Sequence, residues 1–213
     1  MKTLFATFVV LVGAFTASSA LAACNDPPGP NVRWINCDKT GEWLPNRNFE
    51  SADLRGSRFS WTLARSNFRN ANLTGADLKT TDLTDANLTD ANLTKAALNG
   101  ADFSKANLTR ADLSSANLQQ TILSKANMRD ANLNGANLTK ANLSGADLTD
   151  ADLNEAKLNG VNLSRASLVG ADLSGMDLSE SYAIRADLSH LPHDNSAFNF
   201  HLASSLLKEV NRE

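Results

Sequence analysis

A large apolar side chain recurs at every fifth residue from Leu63 to Leu188. Of these 26 positions, 25 hold Leu, Phe or Met, and Ala183 alone departs. No ordinary element has that period. On an α-helix five residues turn through about 500°, so successive leucines wind round every side. On a flat strand an odd spacing sends them to alternate faces. They gather on one side only if the chain bends between them. A bend of about 90° per quintet closes a square coil of about twenty residues, with each leucine inside and the next coil stacked about 4.8 Å above.

The rest of the quintet fits this coil. Ala stands two places before the central residue at 19 of the 26 positions, an inward site near a corner where anything larger crowds its neighbours. Asn or Asp comes between, and is expected to tolerate turn dihedrals and to bond nearby backbone. Ser and Thr often follow the central residue. Gly75, Gly100, Gly135, Gly145, Gly160, Gly170 and Gly175 fall two places after a central residue, where a turn calls for positive φ. Leu44, Phe49, Leu54 and Phe59 carry the spacing further back, but Phe59 and Leu63 are only four apart. A distorted corner is therefore expected near Trp61. The expected column has about seven coils and a length of about 36 Å.

The A-(D/N)-L-(S/T/N)-x tandem resembles the pentapeptide-repeat family over roughly residues 44–188. The resemblance implies an all-β, right-handed quadrilateral β-helix; the handedness comes from the family and not from the spacing. Some cytoplasmic members mimic DNA and shield DNA gyrase from quinolone drugs, which gives an alternative function. That mimicry needs a strongly acidic surface and access to the cytoplasm.

Four segments are expected. Residues 1–22 read as a secretory signal peptide: Lys2, an apolar stretch from Leu4 to Phe15, and the small-residue site Ala20-Leu21-Ala22. Residues 23–43 read as an N-terminal cap, with Trp34, Ile35 and Trp43 as its lid. Residues 44–188 are the repeat, and 189–213 a C-terminal cap. In the last segment Leu202, Leu206 and Val210 lie on one face of a short helix, with Phe198 and Phe200 as plugs. That helix either caps the last coil or joins a second copy, so the chain is a monomer or a dimer through this cap. Cys24 and Cys37 are the only two cysteines. An exported chain meets an oxidising compartment, and a disulfide is the expectation. The alternative is lipidation of Cys24, since Leu21-Ala22-Ala23-Cys24 resembles a lipobox; a membrane attachment is expected only in that case.

Net charge is −3, which gives no reason to expect nucleic acid. Stacking twenty residues apart aligns Arg65, Asp85, Lys105, Lys125, Gly145, Arg165 and Arg185 in one column. Its cations Arg65, Lys105, Lys125, Arg165 and Arg185 form a candidate partner-binding stripe, against the plainer reading of a solvated face. The neighbouring column, Asn70, Asp90, Arg110, Asp130, Asp150 and Gly170, is mostly acidic. His190, His193 and His201 cluster without regular ligand spacing, so no metal site, cofactor or catalytic residue is expected. A column filled with leucine offers no pocket for catalysis. The expected function is a non-enzymatic exported interaction or scaffold protein of the bacterial envelope, periplasm or exterior, with an unknown protein partner.

Overall fold

The computed structural model describes residues 24–173, 176–178 and 180–189. The expected signal peptide, Gly175, the three histidines and the expected C-terminal helix lie outside them. From residue 33 the chain returns over itself every nineteen or twenty residues. Parallel bridges join Asn67 to Asn87, Asn87 to Asn107 and Asn107 to Asn127, and three further columns advance by the same twenty residues. One residue per quintet bridges, because its neighbours are turning the corner. The two-residue strands among the described residues are β1 (Asp38–Lys39) and β2 (Arg58–Phe59), paired in parallel.

Each quintet position can be explained by where its backbone N–H goes. Around Leu88, three donors bond other coils: Leu88 to Asn107 O at 2.7 Å, Asp90 to Thr109 O at 3.0 Å, and Asn87 back to Ser66 O at 2.9 Å. Ala91 N–H closes a turn onto Leu88 O at 3.0 Å. The fifth donor, Thr89 N–H, has no coil partner and is met by a side chain. Asn87 Oδ1 accepts it at 3.2 Å and accepts the Thr89 hydroxyl at 2.7 Å. The same bond recurs at Asp82–Thr84, Asn107–Thr109 and Asp147–Thr149. Asn or Asp is therefore the acceptor for the one N–H that stacking leaves over. It does not carry the turn dihedral. Positive φ belongs to the residue two after the centre, at 59° for Asp90, 60° for Lys105, 55° for Arg110 and 72° for Gly100. A third residue with positive φ, and a fourth whose N–H closes onto the first carbonyl, is the pattern of a type II turn.

The central side chains form one apolar column, fully buried through its middle. Each buried leucine contributes about 2 kcal/mol before the entropy of ordering is charged. The alanine slot is equally buried. Where it holds Ser or Thr, the hydroxyl donates to a carbonyl of the preceding coil: Thr121 to Leu98 O at 3.1 Å, Ser181 to Leu158 O at 2.7 Å. The buried hydroxyl is thereby satisfied.

The shortened quintet sits where the spacing put it. Bridges Asn48–Asn67, Asp53–Asn72 and Arg58–Asp77 step by nineteen, and from Thr62–Asp82 onward the step is twenty. Trp61 takes the corner with φ at 86°, and the inward alanine that normally follows is the residue missing.

The coil begins earlier than the expected boundary at Leu44. Arg33 bridges Asp53, Trp34 N–H donates to Asp53 O at 2.9 Å, and β1 pairs with β2. Trp34 and Lys39 continue the five-residue register inward from Leu44. Much of the segment expected as a cap is thus coil, and the pattern was hidden because a lysine fills a core position. Lys39 is 5% exposed. Its Nζ lies 3.8 Å from the Trp34 ring centroid and 2.9 Å from Glu42 Oε1, a cation–π contact and an ion pair that hold the buried charge. Trp34 is wholly buried, packed on Phe49 at 5.5 Å, whereas Trp43, expected beside it as a lid, is 66% exposed. A disulfide joins Cys24 to buried Cys37, with Cα atoms 5.5 Å apart.

Candidate functional site

The twenty-residue step gives the solenoid four columns of bridging residues, hence four faces. One runs through Thr62, Asp82, Asp102, Ile122, Asn142, Asn162 and Tyr182. The stripe residues Arg65, Lys105, Lys125, Arg165 and Arg185 stand along its edge. All five are exposed and all have φ between 57° and 63°, so each is the corner residue of its quintet. Stacking along the edge is direct. Arg65 Nε approaches Asp85 at 4.0 Å, and a Cβ placed on Gly145 would meet Lys125 Cγ at 3.5 Å. Gly145 thus opens a gap between Lys125 and Arg165. A shallow groove of about 540 Å³ lies there, lined by Lys125, Ser144, Arg165, Ile184 and Arg185 among others.

The same face carries the exposed large apolar side chains. Among the described residues these are Trp43, Trp61, Ile122, Tyr182 and Ile184. Ile122 and Tyr182 are bridging residues of this face, and Ile184 follows Tyr182. Asn46 N–H donates to Ala64 O at 2.9 Å, which stacks the Trp43–Asn46 quintet on Thr62–Arg65. Trp61 occupies the corner that leads into the face. A second open groove, of about 530 Å³, is lined there by Trp43, Pro45, Asn46, Trp61, Thr62, Ala64, Arg65, Asp82 and Thr84. Charge alone marked the stripe in the sequence. The apolar members escaped notice because their spacings are unequal and only the coil register aligns them.

The other faces differ. From Thr62 to Arg185 the basic face has five cations against the carboxylates Asp82, Asp85 and Asp102. The opposite face, through Asn72, Asn92, Asp112, Asn132 and Asp152, has Lys95 against Asp112, Asp152, Glu155 and Asp172. On the neighbouring column expected to be acidic, Arg110 makes two bonds to Asp90 at 2.7 and 2.8 Å, and its guanidinium holds the Asp90 carboxyl below the usual carboxylate value. The asparagine column is also formed, with Asn87 Nδ2 donating to Asn67 Oδ1 at 3.1 Å. No group of three His, Cys, Asp or Glu side chains converges among the described residues.

A pentapeptide-repeat family model matches the chain in eight copies, over residues 48–90, 86–124, 111–150, 126–165, 146–182 and 156–190. The chain belongs to the pentapeptide-repeat family. Its members are generally non-catalytic structural and interaction proteins, and membership implies a right-handed quadrilateral β-helix. Among solved structures it is similar to HetL, a pentapeptide repeat protein of Nostoc sp. strain PCC 7120 involved in heterocyst differentiation regulation. Identity is 27% and TM-score 0.45, covering 74% of this chain and 87% of that one. It is also similar to a pentapeptide repeat protein of the Arabidopsis thaliana thylakoid lumen, at 29% identity and TM-score 0.39, covering 50% and 71%. A third is QnrB1, a plasmid-mediated fluoroquinolone resistance protein, at 21% identity and TM-score 0.40, covering 73% and 84%. No curated protein sequence matches the chain.

Proposed function

We propose that this is an exported, non-enzymatic interaction protein of the bacterial envelope or exterior, and that it docks a protein partner through the basic, apolar-studded face. The single observation that carries the reading is the convergence described above: five cations, and the five large apolar side chains exposed among the described residues, border one face of four. Arg, Trp and Tyr dominate the energetics of protein interfaces, and exposed apolar groups rimmed by polar ones mark contact surfaces. A flat, rigid wall also loses little entropy on binding. A gyrase-directed DNA mimic fits less well, since it would present acid where this face presents base.

The proposal extends to the ends of the solenoid. It has about eight coils at the twenty-residue step, closed at the front by the disulfide-linked segment; of the C-terminal cap expected over 189–213, residues 190–213 lie outside the described residues. Export fits the signal-peptide pattern and a disulfide formed in an oxidising compartment. Mass spectrometry of the mature N-terminus separates the disulfide from a lipid on Cys24. The test of the face compares capture from envelope extract by the mature protein and by a variant with Arg65, Lys105, Lys125, Arg165 and Arg185 changed to Glu. Loss of specific captured proteins supports the face; an identical set removes it.

A further inference from the structure

The groove at the shortened quintet has a composition of its own. Two indoles, Trp43 and Trp61, are 66% and 63% exposed in it. Two of the largest apolar side chains are thus exposed in one groove, which is unfavourable in water. Trp61 also holds φ at 86°, a region that bulky side chains seldom enter. Positive φ is common to the corner residues, so what is particular to this corner is the bulky indole it displays. Trp61 faces outward as the other corner residues do, and the missing inward alanine brings Thr62 directly after it.

We infer that the Trp43–Trp61 groove is a carbohydrate-binding subsite, taking one or two pyranose rings of an oligosaccharide. The reasoning is chemical. A pyranose has an apolar face of C–H groups and an equator of hydroxyls that both donate and accept. The indoles supply flat apolar platforms for the face. The rim supplies partners for the equator: the Asn46 amide, the Thr62 and Thr84 hydroxyls, the Asp82 carboxylate and the Arg65 guanidinium. Asp82 is held in place, with Oδ2 accepting from the Thr62 hydroxyl at 2.9 Å and Oδ1 from Thr84 N–H at 3.0 Å. The Thr84 hydroxyl bonds this carboxylate as well, so three of about four lone-pair sites are taken and one is left for a ligand hydroxyl. Arg65, at 4.0 Å from Asp85, keeps donors free as well.

A proline-rich segment is the chief competitor, since aromatic grooves also take polyproline helices. Such a ligand offers carbonyl acceptors and no backbone donors at its prolines. Asp82, an acceptor fixed at the rim, would then face nothing that can donate to it. A sugar satisfies both kinds of rim group.

The test is calorimetric titration of the full mature protein with three soluble hexasaccharides: β-1,4-linked N-acetylglucosamine, β-1,4-linked glucose and α-1,4-linked glucose. Decaproline is the comparison ligand. Saturable binding of at least one hexasaccharide is expected at Kd values below about 10 mM. Trp34 is buried, so the accompanying fluorescence change reports Trp43 and Trp61. Trp61→Gly suits the corner backbone and leaves every core residue in place, so it should fold and bind at least tenfold more weakly. Trp43→Ala should do the same. Overturning results are no saturation by any of the sugars, wild-type affinity in Trp61→Gly, or saturation by decaproline alone. Trp43, Trp61 and Arg65 belong to both surfaces, but the titration contains no protein partner, so its failure is distinguishable from failure of the docking reading, which the five-cation variant tests by capture.

Discussion

The coils from Leu63 onward and the coils before it are built from the same quintet, but they use it differently. In the later region every position has one task. Leu fills the centre, Ala the corner, Asn or Asp accepts the spare N–H, and the following turn takes positive φ. In the earlier region the tasks are redistributed. Trp34, Phe49 and Phe59 replace leucine at the centre, and Phe49 stacks at 5.0 Å on Phe68 of the following coil. Lys39 takes a central site outright, a disulfide ties down the entry, and one quintet loses its alanine. A coil inside the column is sealed by two neighbours; the first coil has only one. Larger rings, a covalent tie and an inward charge are ways to close an open end, and an inward charge also discourages edge-to-edge pairing. The difference shows that the regular region is stabilised by repetition and the first coils by particular contacts.

That contrast can be broken at several points. The largest effect is expected at the centre. Leu108→Asp buries an unpaired carboxylate and should abolish folding of the column, a cost above about 5 kcal/mol. Trp43→Asp, on an exposed indole, should change stability by less than about 0.5 kcal/mol. Chemical denaturation followed by circular dichroism compares the two.

Next is the disulfide. Cys24→Ser with Cys37→Ser frees the entry and should destabilise the first coils by about 3 kcal/mol. Amide exchange should quicken at Trp34, which bonds Asp53 O, and stay unchanged at Leu113, which bonds Asn132 O. Equal acceleration at both sites would mean that the two regions unfold as one.

Asn107→Ala removes the acceptor of Thr109 N–H and of the Thr109 hydroxyl, bonds of 3.0 and 2.6 Å. A loss of about 1 kcal/mol is expected in the same denaturation assay. Trp61→Gly acts in the opposite direction. It relieves the corner dihedral and should stabilise by about 1 kcal/mol, seen as a raised melting temperature.

The smallest effect is the pH response. Asp53 and Asp90 are held below the usual carboxylate value, first by side-chain bonds from Arg55 and Arg110 respectively. A depressed folded value contributes stability above the unfolded value of about 3.9 and loses it as pH falls through the folded one. Melting temperature should be flat from about pH 7 to 5 and decline below about pH 4, and Asp90→Asn should decline less.

Much of this was legible in the sequence, for a physical reason. Repetition writes one local solution many times, so the five-residue period, the four-sided coil and the fault at Phe59–Leu63 could all be read from spacing. Lys39 was not legible because a core lysine breaks the apolar pattern that reveals a core. The role of Asn and Asp was half read: bonding to backbone was expected, but the turn dihedral lies three residues further on. The basic stripe followed from charge and period. Its companions Trp43, Trp61, Ile122, Tyr182 and Ile184 required the register to be known across the nineteen-residue step.

The central claim is that twenty residues make one coil and lift the chain by one interstrand spacing. Spin labels at exposed corner residues test it through pulsed dipolar distances in three double-cysteine variants, at 65/165, 85/185 and 65/185. The first two pairs are five coils apart and should both give about 24 Å; the third is six coils apart and should give about 29 Å. Unequal distances for the first two pairs, or a third distance that is not longer by about one coil spacing, would contradict the account.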